Sequence, residues 1–274
     1  MGSEKKFLLL AHYHQNGLIR KDLSNLIKIS KNYFEEIILI STKLKRSEKK
    51  KLPSSIKIII RPNYGYDFYS YKVGINYLLK KYKKDLTKKS LVCMASSLFY
   101  INPKKLLEKI KKNKNKDNYF YSLTKSWEIQ EHLQLDIFLF SMKLFRNKPF
   151  LKWWKNIKKF KSRNIIIKKY ELGLTLFLKK ISINIDTLFK DNVNDYPSKI
   201  NEIIIRKIIN IFYKRVKVYK KNPTHFYWEK IYKNFGIIKI DLIKSNPHKV
   251  DIVKLKNYFT KKQLKNLNQE AKKN

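Results

Sequence analysis

The sequence predicts an α/β protein: a mostly parallel, Rossmann-type sheet flanked by helices, with a mostly helical C-terminal part. Short apolar, β-branched runs alternate with helical patterns, at the spacing of strand–helix–strand units. Beyond about residue 142 the apolar spacing becomes mostly helical. The 274 residues are 43% hydrophobic and 14% aromatic, which is enough to bury a core. We expect a core over residues 1–190 and an extension over residues 191–274, together forming one continuous domain.

Six short apolar runs are predicted to be strands, because they are rich in β-branched and aromatic residues. They are Phe7–Ala11, Glu36–Ser41, Ile56–Ile60, Leu91–Met94, Tyr119–Leu123 and Asp136–Ser141. Helical periodicity lies between and after them. The predicted helices are Leu23–Asn32, Asp67–Tyr82, Pro103–Lys112, Met142–Lys159, Lys169–Lys180 and Ile200–Tyr213, and a Lys-rich tail from Val253 to Asn274 suits a helix facing solvent, a partner or a membrane. The charged run Lys43–Lys51 is expected to be a solvated loop.

The formal net charge of +42 comes from 63 Lys and Arg residues against 21 Asp and Glu residues. Such a balance is typical of proteins that bind nucleic acids or anionic membranes. Lys is spread through the chain together with Ile and Asn, however, and Arg, the better fork for phosphate, is scarce. This pattern favours compositional bias with a generally anionic partner over dedicated nucleic-acid binding, so no specific nucleic-acid partner is predicted.

Cysteine content and hydropathy limit the class of protein further. The single cysteine, Cys93, excludes an intramolecular disulfide and a Cys-rich zinc site. No run reaches the roughly 20 apolar residues that span a bilayer. The apolar run near the N-terminus is too short for a secretion signal. We therefore expect a protein that is cytoplasmic or lies on a membrane surface.

A polar segment, AHYHQNG, follows the first predicted strand. It places His12 at the carboxyl end of that strand, where open α/β sheets bind ligands. His12 is therefore a candidate binding residue. A plain polar loop that ends at Gly17 is an equally good interpretation.

The segment RPNYGYDFYSYK follows the third predicted strand and opens a helix. A helix N-terminus at a strand end favours anions. Arg61 and Lys72 carry charge suited to a diphosphate, and Asp67 suits a helix cap or an acceptor for a ribose or base. The spacing is not that of a dinucleotide fingerprint or a P-loop, and a plain turn with an Asp cap is the alternative. The candidate binding residues here are Arg61, Asn63, Gly65, Tyr66, Asp67 and Lys72.

The loop after the fourth predicted strand reads Ala95-Ser96-Ser97. Mg²⁺ and Mn²⁺ prefer carboxylate oxygens, and this loop offers none. The hydroxyls of Ser96 and Ser97 can hydrogen-bond a phosphate, so both are candidate binding residues. No metal ligand is predicted.

The second half of the chain holds further candidates. Glu171, at an expected helix start, suits either a general base or a first-turn glutamate favoured by the helix dipole. His132 and Gln134 lie in the segment HLQLDIFLFS. His225 and Trp228 lie in NPTHFYWEKI, whose rings suit either a sugar pocket or the start of a core helix.

Taken in order, these segments resemble the rhamnan-synthesis F (RgpF-type) glycosyltransferase family over about residues 7–248. The blocks RPNYGYDF and NPTHFYW carry the resemblance most specifically. The resemblance implies a GT-A-like fold and transfer of a sugar, rhamnose or another hexose or deoxyhexose, from a nucleotide-diphosphate donor to a bacterial surface polysaccharide such as O-antigen or capsule. It also implies that residues 1–190 bind the donor, while residues 191–274 complete the acceptor side.

Roles for single residues are implied in the same way. His12, Arg61, Lys72, Ser96 and Ser97 are expected on the donor side, with Asn63, Gly65, Tyr66 and Asp67 as the donor segment. Glu171 is expected to be the base. His132, Gln134, His225 and Trp228 are expected on the acceptor side. The expected partners are a nucleotide-diphosphate sugar, a glycan or lipid-linked glycan and the anionic inner face of the cell membrane.

One departure from the family concerns the metal. The family usually has an Asn-Asp-Ser-like triplet where this chain has Ala95-Ser96-Ser97. The departure puts a role for Mg²⁺ or Mn²⁺ in question, and basic side chains such as Arg61 or Lys72 are the alternative for neutralising the diphosphate. It also leaves open a second function: a non-catalytic polysaccharide-assembly or glycan-binding module that has lost its metal site.

Overall fold

A computed structural model describes residues 5–82, 89–113, 117–190 and 222–273. Its centre is a seven-stranded sheet with the strand order β3-β2-β1-β4-β7-β6-β8. A two-stranded sheet, β5-β9, lies apart from it. The strands are β1 (Lys5–His12), β2 (Glu36–Ser41), β3 (Lys57–Ile60), β4 (Lys89–Ala95), β5 (Leu98–Tyr100), β6 (Tyr119–Ser126), β7 (His132–Ser141), β8 (Asn184–Thr187) and β9 (Ile237–Lys239).

The predicted α/β class and the mostly parallel sheet are confirmed. Strands β3, β2, β1 and β4 run parallel to one another, and β6 and β8 form a second parallel pair. Only β7 runs against its neighbours, β4 and β6, within this sheet as the structure describes it. The carboxyl ends of the first four strands therefore share one edge of the sheet, and β7 begins beside that edge.

Helices cover both faces of the sheet. Strand β1 shows why: Phe7 and Leu9 enter one buried cluster, whereas Leu8 and Leu10 enter another. A strand buried on both faces reads as a continuous apolar run, as FLLLA does. The helices of the first 190 residues are α1 (Lys21–Ser30), α2 (Arg46–Lys50), α3 (Tyr66–Tyr82), α4 (Pro103–Lys112), α5 (Lys148–Lys155), α6 (Arg163–Ile166) and α7 (Gly173–Lys180), with a π-helical segment, Ile167–Leu172, between α6 and α7.

One predicted helix and one predicted loop differ from the structure. The predicted helix Met142–Lys159 is divided into a 3₁₀ helix, Met142–Arg146, and α5. The division falls where Asn147 caps the amide of Phe150 and Pro149 occupies the first turn, because proline suits a helix start but not a helix interior. The charged run Lys43–Lys51, predicted to be a loop, contains α2.

The described C-terminal residues were only partly predicted. They form the short helices Pro223–Phe226, Trp228–Phe235 and Ile240–Lys244, a 3₁₀ turn at Val253–Asn257 and a final helix, Lys261–Lys272. The strand β9 was missed; it pairs with β5 through the Phe99–Ile238 register, and a three-residue run carries almost no periodic signal. The predicted helix Ile200–Tyr213 lies outside the described residues.

The C-terminal residues share a core with the sheet. Ile231, Phe235 and Ile237 belong to the same buried cluster as Leu8 and Leu10 of β1. This packing suits one continuous domain, although the boundary at residue 190 stays a prediction. Of the helices in the described ranges, none is both long and apolar enough to cross a bilayer.

Candidate functional site

The loop after β3 is organised by Arg61. Its guanidinium donates to the Ser70 hydroxyl at 2.9 Å and to the carbonyl oxygens of Pro62 and Tyr64 at 2.7 and 2.6 Å. It also donates to the Tyr66 carbonyl oxygen at 2.5 Å. The side chain is only 5% exposed. Arg61 therefore supports the loop that leads into α3, with most of its donors used inside the protein.

The turn into α3 depends on glycine. Gly65 has a φ of +70°, and a Cβ atom at this position would lie 2.6 Å from Cβ of Tyr69. The next residue, Tyr66, also has a positive φ, 48°, and its ring is largely exposed. Asn63 is exposed as well. The turn therefore presents Asn63 and Tyr66 to solvent and sets Asp67 in the first turn of α3.

The ends of β1, β2 and β4 are joined by internal hydrogen bonds. His12 is 3% exposed, with its Nδ1 2.8 Å from the Ser41 hydroxyl and its Nε2 3.1 Å from the Leu18 carbonyl oxygen. Burial, followed by the charge of Arg20, lowers the pKa of His12 to about 4. The Ser96 hydroxyl accepts from the Tyr13 amide at 3.1 Å. His12 and Ser96 thus hold the strand ends together.

An irregularity in β7 places Asp136 at the site. Ser122 pairs with Phe138 and Thr124 with Gln134, so the single residue between them on β6 faces Leu135, Asp136 and Ile137 of β7. Such bulges re-aim side chains and are frequent beside active sites. Here the bulge lies just beyond the Met94–Ile137 pair, next to the end of β4.

Asp136 is held by one cation and one hydroxyl. The Ser97 hydroxyl donates to Oδ1 at 2.7 Å, and the Lys239 ammonium donates to Oδ2. The side chains of Asp136 and Lys239 are 14% and 11% exposed. Burial alone would raise the pKa of Asp136, but the charge and hydrogen bond of Lys239 hold it below its ordinary value. A mostly buried ion pair therefore lies at the junction of β7, β9 and the loop after β4.

The charge of Asp136 acts on two more carboxylates, Asp67 in the first turn of α3 and Glu171 in the π-helical segment. Burial, followed by the negative charge of Asp136, raises the pKa of Asp67 to about 6. The same two causes raise the pKa of Glu171 to about 7. The positive charge of Arg61 acts on Asp67 in the opposite direction, and those of Lys239 and Arg163 act so on both groups. We call Asp67, Asp136 and Glu171 the carboxylate cluster.

Glu171 owes its position to the π-helical segment. Segments with this wider hydrogen-bond spacing are uncommon and are frequently found at functional sites. Around it, the Thr175 hydroxyl donates to the Glu171 carbonyl oxygen and accepts from the amide of Leu133 on β7. Thr175 thereby ties the helix to β7 one turn after Glu171.

Comparison with known families decides the assignment. The family described as "Rhamnan synthesis protein F" matches residues 37–274, which is most of the chain. The chain belongs to this family. The expected family is thus confirmed, and its match begins in β2 and covers the later strands, the carboxylate cluster and the described C-terminal helices.

A curated relative of this rhamnan synthesis F family member is protein y4gN of Sinorhizobium fredii (strain NBRC 101917 / NGR234), which is described as uncharacterized. The two are 24% identical over 185 residues, covering 66% of this chain and 48% of y4gN. The chain therefore spans about half the length of the curated relative that it matches.

Solved structures give fold-level likenesses. The glycosyltransferase GlyE of Streptococcus pneumoniae TIGR4 is 9% identical with a TM-score of 0.45, covering 97% of this chain and 62% of GlyE. A 4-diphosphocytidyl-2C-methyl-D-erythritol synthase is 10% identical with a TM-score of 0.44, covering 75% of this chain and 98% of the other. The bifunctional glycosyltransferase WbbM is 9% identical with a TM-score of 0.39, covering 61% and 37% respectively.

Both oxygens of Asp136 in this family member already have partners, which does not suit a divalent metal. Within the described ranges, no group of three or more His, Cys, Asp or Glu side chains is arranged to hold a metal ion. Asp136, the carboxylate that Ser97 contacts, has its other oxygen bound to Lys239. A cationic side chain already lies where a metal would need the oxygen. No step is therefore assigned to a metal here.

Four other residues predicted to contact the substrates form hydrogen bonds within the protein. Lys72 donates from Nζ to the Ile157 carbonyl oxygen at 2.7 Å, and Trp228 donates from Nε1 to the Asp251 carbonyl oxygen at 2.9 Å within a C-terminal core cluster. Gln134 accepts from the Thr124 hydroxyl, and His132 Nδ1 lies 2.8 Å from the Gln130 carbonyl oxygen. These contacts place the side chains in supporting positions, and direct contact with a substrate stays a prediction for each.

Sequence reasoning missed three cationic groups. Lys239 reaches Asp136 across 103 residues of sequence, and Arg163 acts on the cluster from the start of α6. Arg20 is 4% exposed and donates to the carbonyl oxygens of Ser96 and Leu98 at 2.8 and 2.6 Å. In a chain where Lys is abundant, no single Lys stands out. The scarcity of Arg was the one available signal.

Proposed function

We propose that the protein is a glycosyltransferase that moves a sugar from a nucleotide-diphosphate donor to an acceptor hydroxyl. The observation that carries the proposal is the carboxylate cluster at the carboxyl edge of the parallel strands, together with Lys239 and Arg163. Ligands of open α/β sheets bind at that edge. The family is named for rhamnan synthesis, which makes rhamnose or another deoxyhexose the favoured sugar.

Glu171 is the proposed base. A general base works best when its pKa lies near the operating pH, and the pKa of Glu171 is raised to about 7 by burial and by Asp136. In the proposed reaction the carboxylate takes the proton of the acceptor hydroxyl. The hydroxyl oxygen then bonds to the anomeric carbon while the bond from that carbon to the diphosphate oxygen breaks. The diphosphate leaves with the bonding electron pair.

The leaving diphosphate requires positive charge in the absence of a fitting metal site. Arg163 is two-thirds exposed at the start of α6 and lies 3.7 Å from Asp241, so it is able to turn toward a ligand. Lys239 contributes a fixed charge from within the site. Fixed charges near a developing anion lower the barrier without reorganisation. The turn with Asn63, Gly65, Tyr66 and Asp67 is the proposed contact for the donor.

The acceptor side of the proposal includes a membrane. The final helix, Lys261–Lys272, begins with a capping box formed by Thr260 and Gln263. Exposed Lys261, Lys262 and Lys265 lie in its first two turns. Clustered lysines attract anionic lipids, which suits a lipid-linked glycan at the inner face of the cell membrane. Sedimentation with vesicles containing phosphatidylglycerol, against phosphatidylcholine vesicles, tests this part.

The central test is Glu171→Gln, which removes the base but keeps the size of the side chain. Donor affinity is measured by calorimetry with a panel of UDP-, GDP- and dTDP-sugars, and transfer is followed with the donor that binds. We expect kcat to fall about 10²- to 10⁴-fold, because that is the usual contribution of a general base. Donor affinity should stay within about 3-fold, since the base contacts the acceptor.

Glu108→Gln is the matched control, because Glu108 lies on the exposed face of α4 and pairs only loosely, at 4.0 Å, with Lys104. It should leave kcat unchanged. Donor binding without transfer by the wild type would instead support a glycan-binding or assembly module. If no nucleotide sugar binds, the enzyme proposal is wrong.

A further inference from the structure

His225 differs from every other histidine whose surroundings are described above. It is 2% exposed, and neither ring nitrogen has a hydrogen-bond partner among the described residues. Both ring nitrogens of His12, by contrast, lie within hydrogen-bonding distance of oxygen atoms in the protein. Buried polar atoms are nearly always paired, so a doubly unpaired imidazole calls for an explanation.

The surroundings of His225 belong to the candidate site. The charges of Lys239 and Asp136 both act on its ring, and the ring of His248 lies 4.8 Å away between centroids. Burial, followed by the charge of Lys239, lowers the pKa of His225 to about 3. The ring is therefore neutral near pH 7. It offers one donor nitrogen and one acceptor nitrogen, and no charge for a phosphate.

The helix that carries His225 lies at other strands than the one that leads into the donor turn. This helix, Pro223–Phe226, packs against β6 and β9. Strand β6 lies beyond β7 in the sheet order, whereas the donor turn lies beyond β4 on the other side. A ligand that contacts His225 would therefore lie near Asp136 and Lys239.

We propose that His225 binds hydroxyl groups of the acceptor sugar and positions it beside the carboxylate cluster. A sugar with neighbouring hydroxyls presents both a donor and an acceptor, which match the two nitrogens of a neutral imidazole. This inference rests on the proposed glycosyl transfer, and it specifies a neutral saccharide as the group that His225 recognises.

The test compares His225→Phe with His225→Gln. Phenylalanine keeps a ring of similar size without polar atoms, whereas glutamine restores one donor and one acceptor. We expect His225→Phe to raise the KM for the acceptor about 10-fold or more, as loss of a buried hydrogen bond to a hydroxyl does. The affinity for the donor and its hydrolysis without acceptor should not change. His225→Gln should return the acceptor KM to within about 3-fold of the wild type.

Ser30→Ala is the control, because the Ser30 hydroxyl is also buried and unpartnered within the described residues but lies at the end of α1. It should leave the acceptor KM unchanged. Thermal unfolding of all three variants shows whether each is folded. An unchanged acceptor KM in folded His225→Phe, or an equal loss of donor affinity, would overturn the inference.

A second measurement does not depend on turnover. Histidine labelled with ¹⁵N is followed by NMR while methyl rhamnoside is added, and His225→Phe assigns the His225 signals. We expect the His225 ring signals to shift and those of His12, whose nitrogens have partners, to stay in place. Static His225 signals would contradict the inference. A wild type that transfers no sugar would contradict the proposed function, while this titration still decides the role of His225.

Discussion

Two regions along the same edge of the sheet differ in how their polar groups are satisfied. At the ends of β1 and β3, the side chains of His12 and Arg61 have partners inside the protein. At the end of β4 and the start of β7, the charge of Asp136 acts on Asp67 and Glu171, and the pKa values of both are raised. Polar groups that have hydrogen-bond partners stabilise the edge of the sheet, and we call the part around His12 and Arg61 the satisfied region. Buried groups of like charge are the usual sign of a functional site, and we call the part around Asp136 the conflicting region.

This difference between the two regions changes the roles that we assign to the basic residues. Arg61 was expected to meet a diphosphate, yet it donates four hydrogen bonds within its own loop and to α3. Lys239 was not singled out, yet it is paired with Asp136 inside the cluster. In a chain with a net charge of +42, the position of a basic residue is better evidence for its function than its occurrence in the sequence.

The largest expected effect comes from breaking the Asp136–Lys239 pair. Lys239→Met leaves the Asp136 carboxylate mostly buried without its cation. We expect the free energy of unfolding to fall by about 3–5 kcal/mol, as for other buried pairs that lose one partner. Urea unfolding measures the change.

The matched control is Lys143→Met, which breaks the exposed pair with Asp117, 2.6 Å apart. Exposed pairs contribute about 0–1 kcal/mol, so this variant should stay near the wild type. If both variants lose the same free energy of unfolding, the buried Asp136–Lys239 pair stabilises the protein no more than an exposed pair does. The comparison of the two regions would then be wrong.

Arg61→Met tests the satisfied region. Removing the guanidinium leaves the carbonyl oxygens of Pro62, Tyr64 and Tyr66 without this donor. We expect a loss of about 2–3 kcal/mol in the free energy of unfolding. Donor affinity should fall as well, because the turn loses its support. Arg46→Met, at an exposed position of α2, is the control.

This variant distinguishes support from direct binding. If Arg61 supports the turn, stability and donor affinity fall together. A folded Arg61→Met with unchanged stability and a large loss of donor affinity would mean that Arg61 binds the diphosphate itself, as the sequence suggested.

Much of the sheet could be predicted because its strands are apolar on both faces. FLLLA and EIILIS read as buried strands without any tertiary information. The strand β9 could not be predicted, since three residues carry no reliable period and its partner, β5, is more than 130 residues away. Local patterns predict elements, but the pairing of distant short segments depends on the whole fold.

The site was predictable where a residue lies in a distinctive motif. Asp67, Glu171 and His225 were predicted from the motifs that contain them, and the structure places all three where the charge of Asp136 acts on them. The bulge that turns Asp136 toward the site leaves no local pattern, because it depends on the register between β6 and β7. The pairing of Asp136 with Lys239 is likewise a property of the fold.

A further expected effect is a loss of stability with rising pH, which comes from Glu171. The ordinary pKa of a glutamate is 4.5, and that of Glu171 in the folded protein is about 7. Between these values the folded protein keeps a proton that the unfolded chain releases. The stability from this group is therefore fully present below about pH 4.5 and is lost as the pH rises through about 7.

Glu171→Gln resembles the protonated form at every pH, so subtracting it isolates this effect. We expect the unfolding free energy of the wild type, minus that of the variant, to fall between about pH 4.5 and 7 and to level off above. His12 and His225, with pKa values of about 4 and 3, produce the opposite trend below pH 6.5, but they are present in both proteins and cancel. Urea unfolding at pH 4, 6 and 8 measures the difference, with Glu108→Gln as the exposed baseline. A flat difference would mean that Glu171 is not in conflict with Asp136, and the two regions would no longer differ in the way that the proposed chemistry requires.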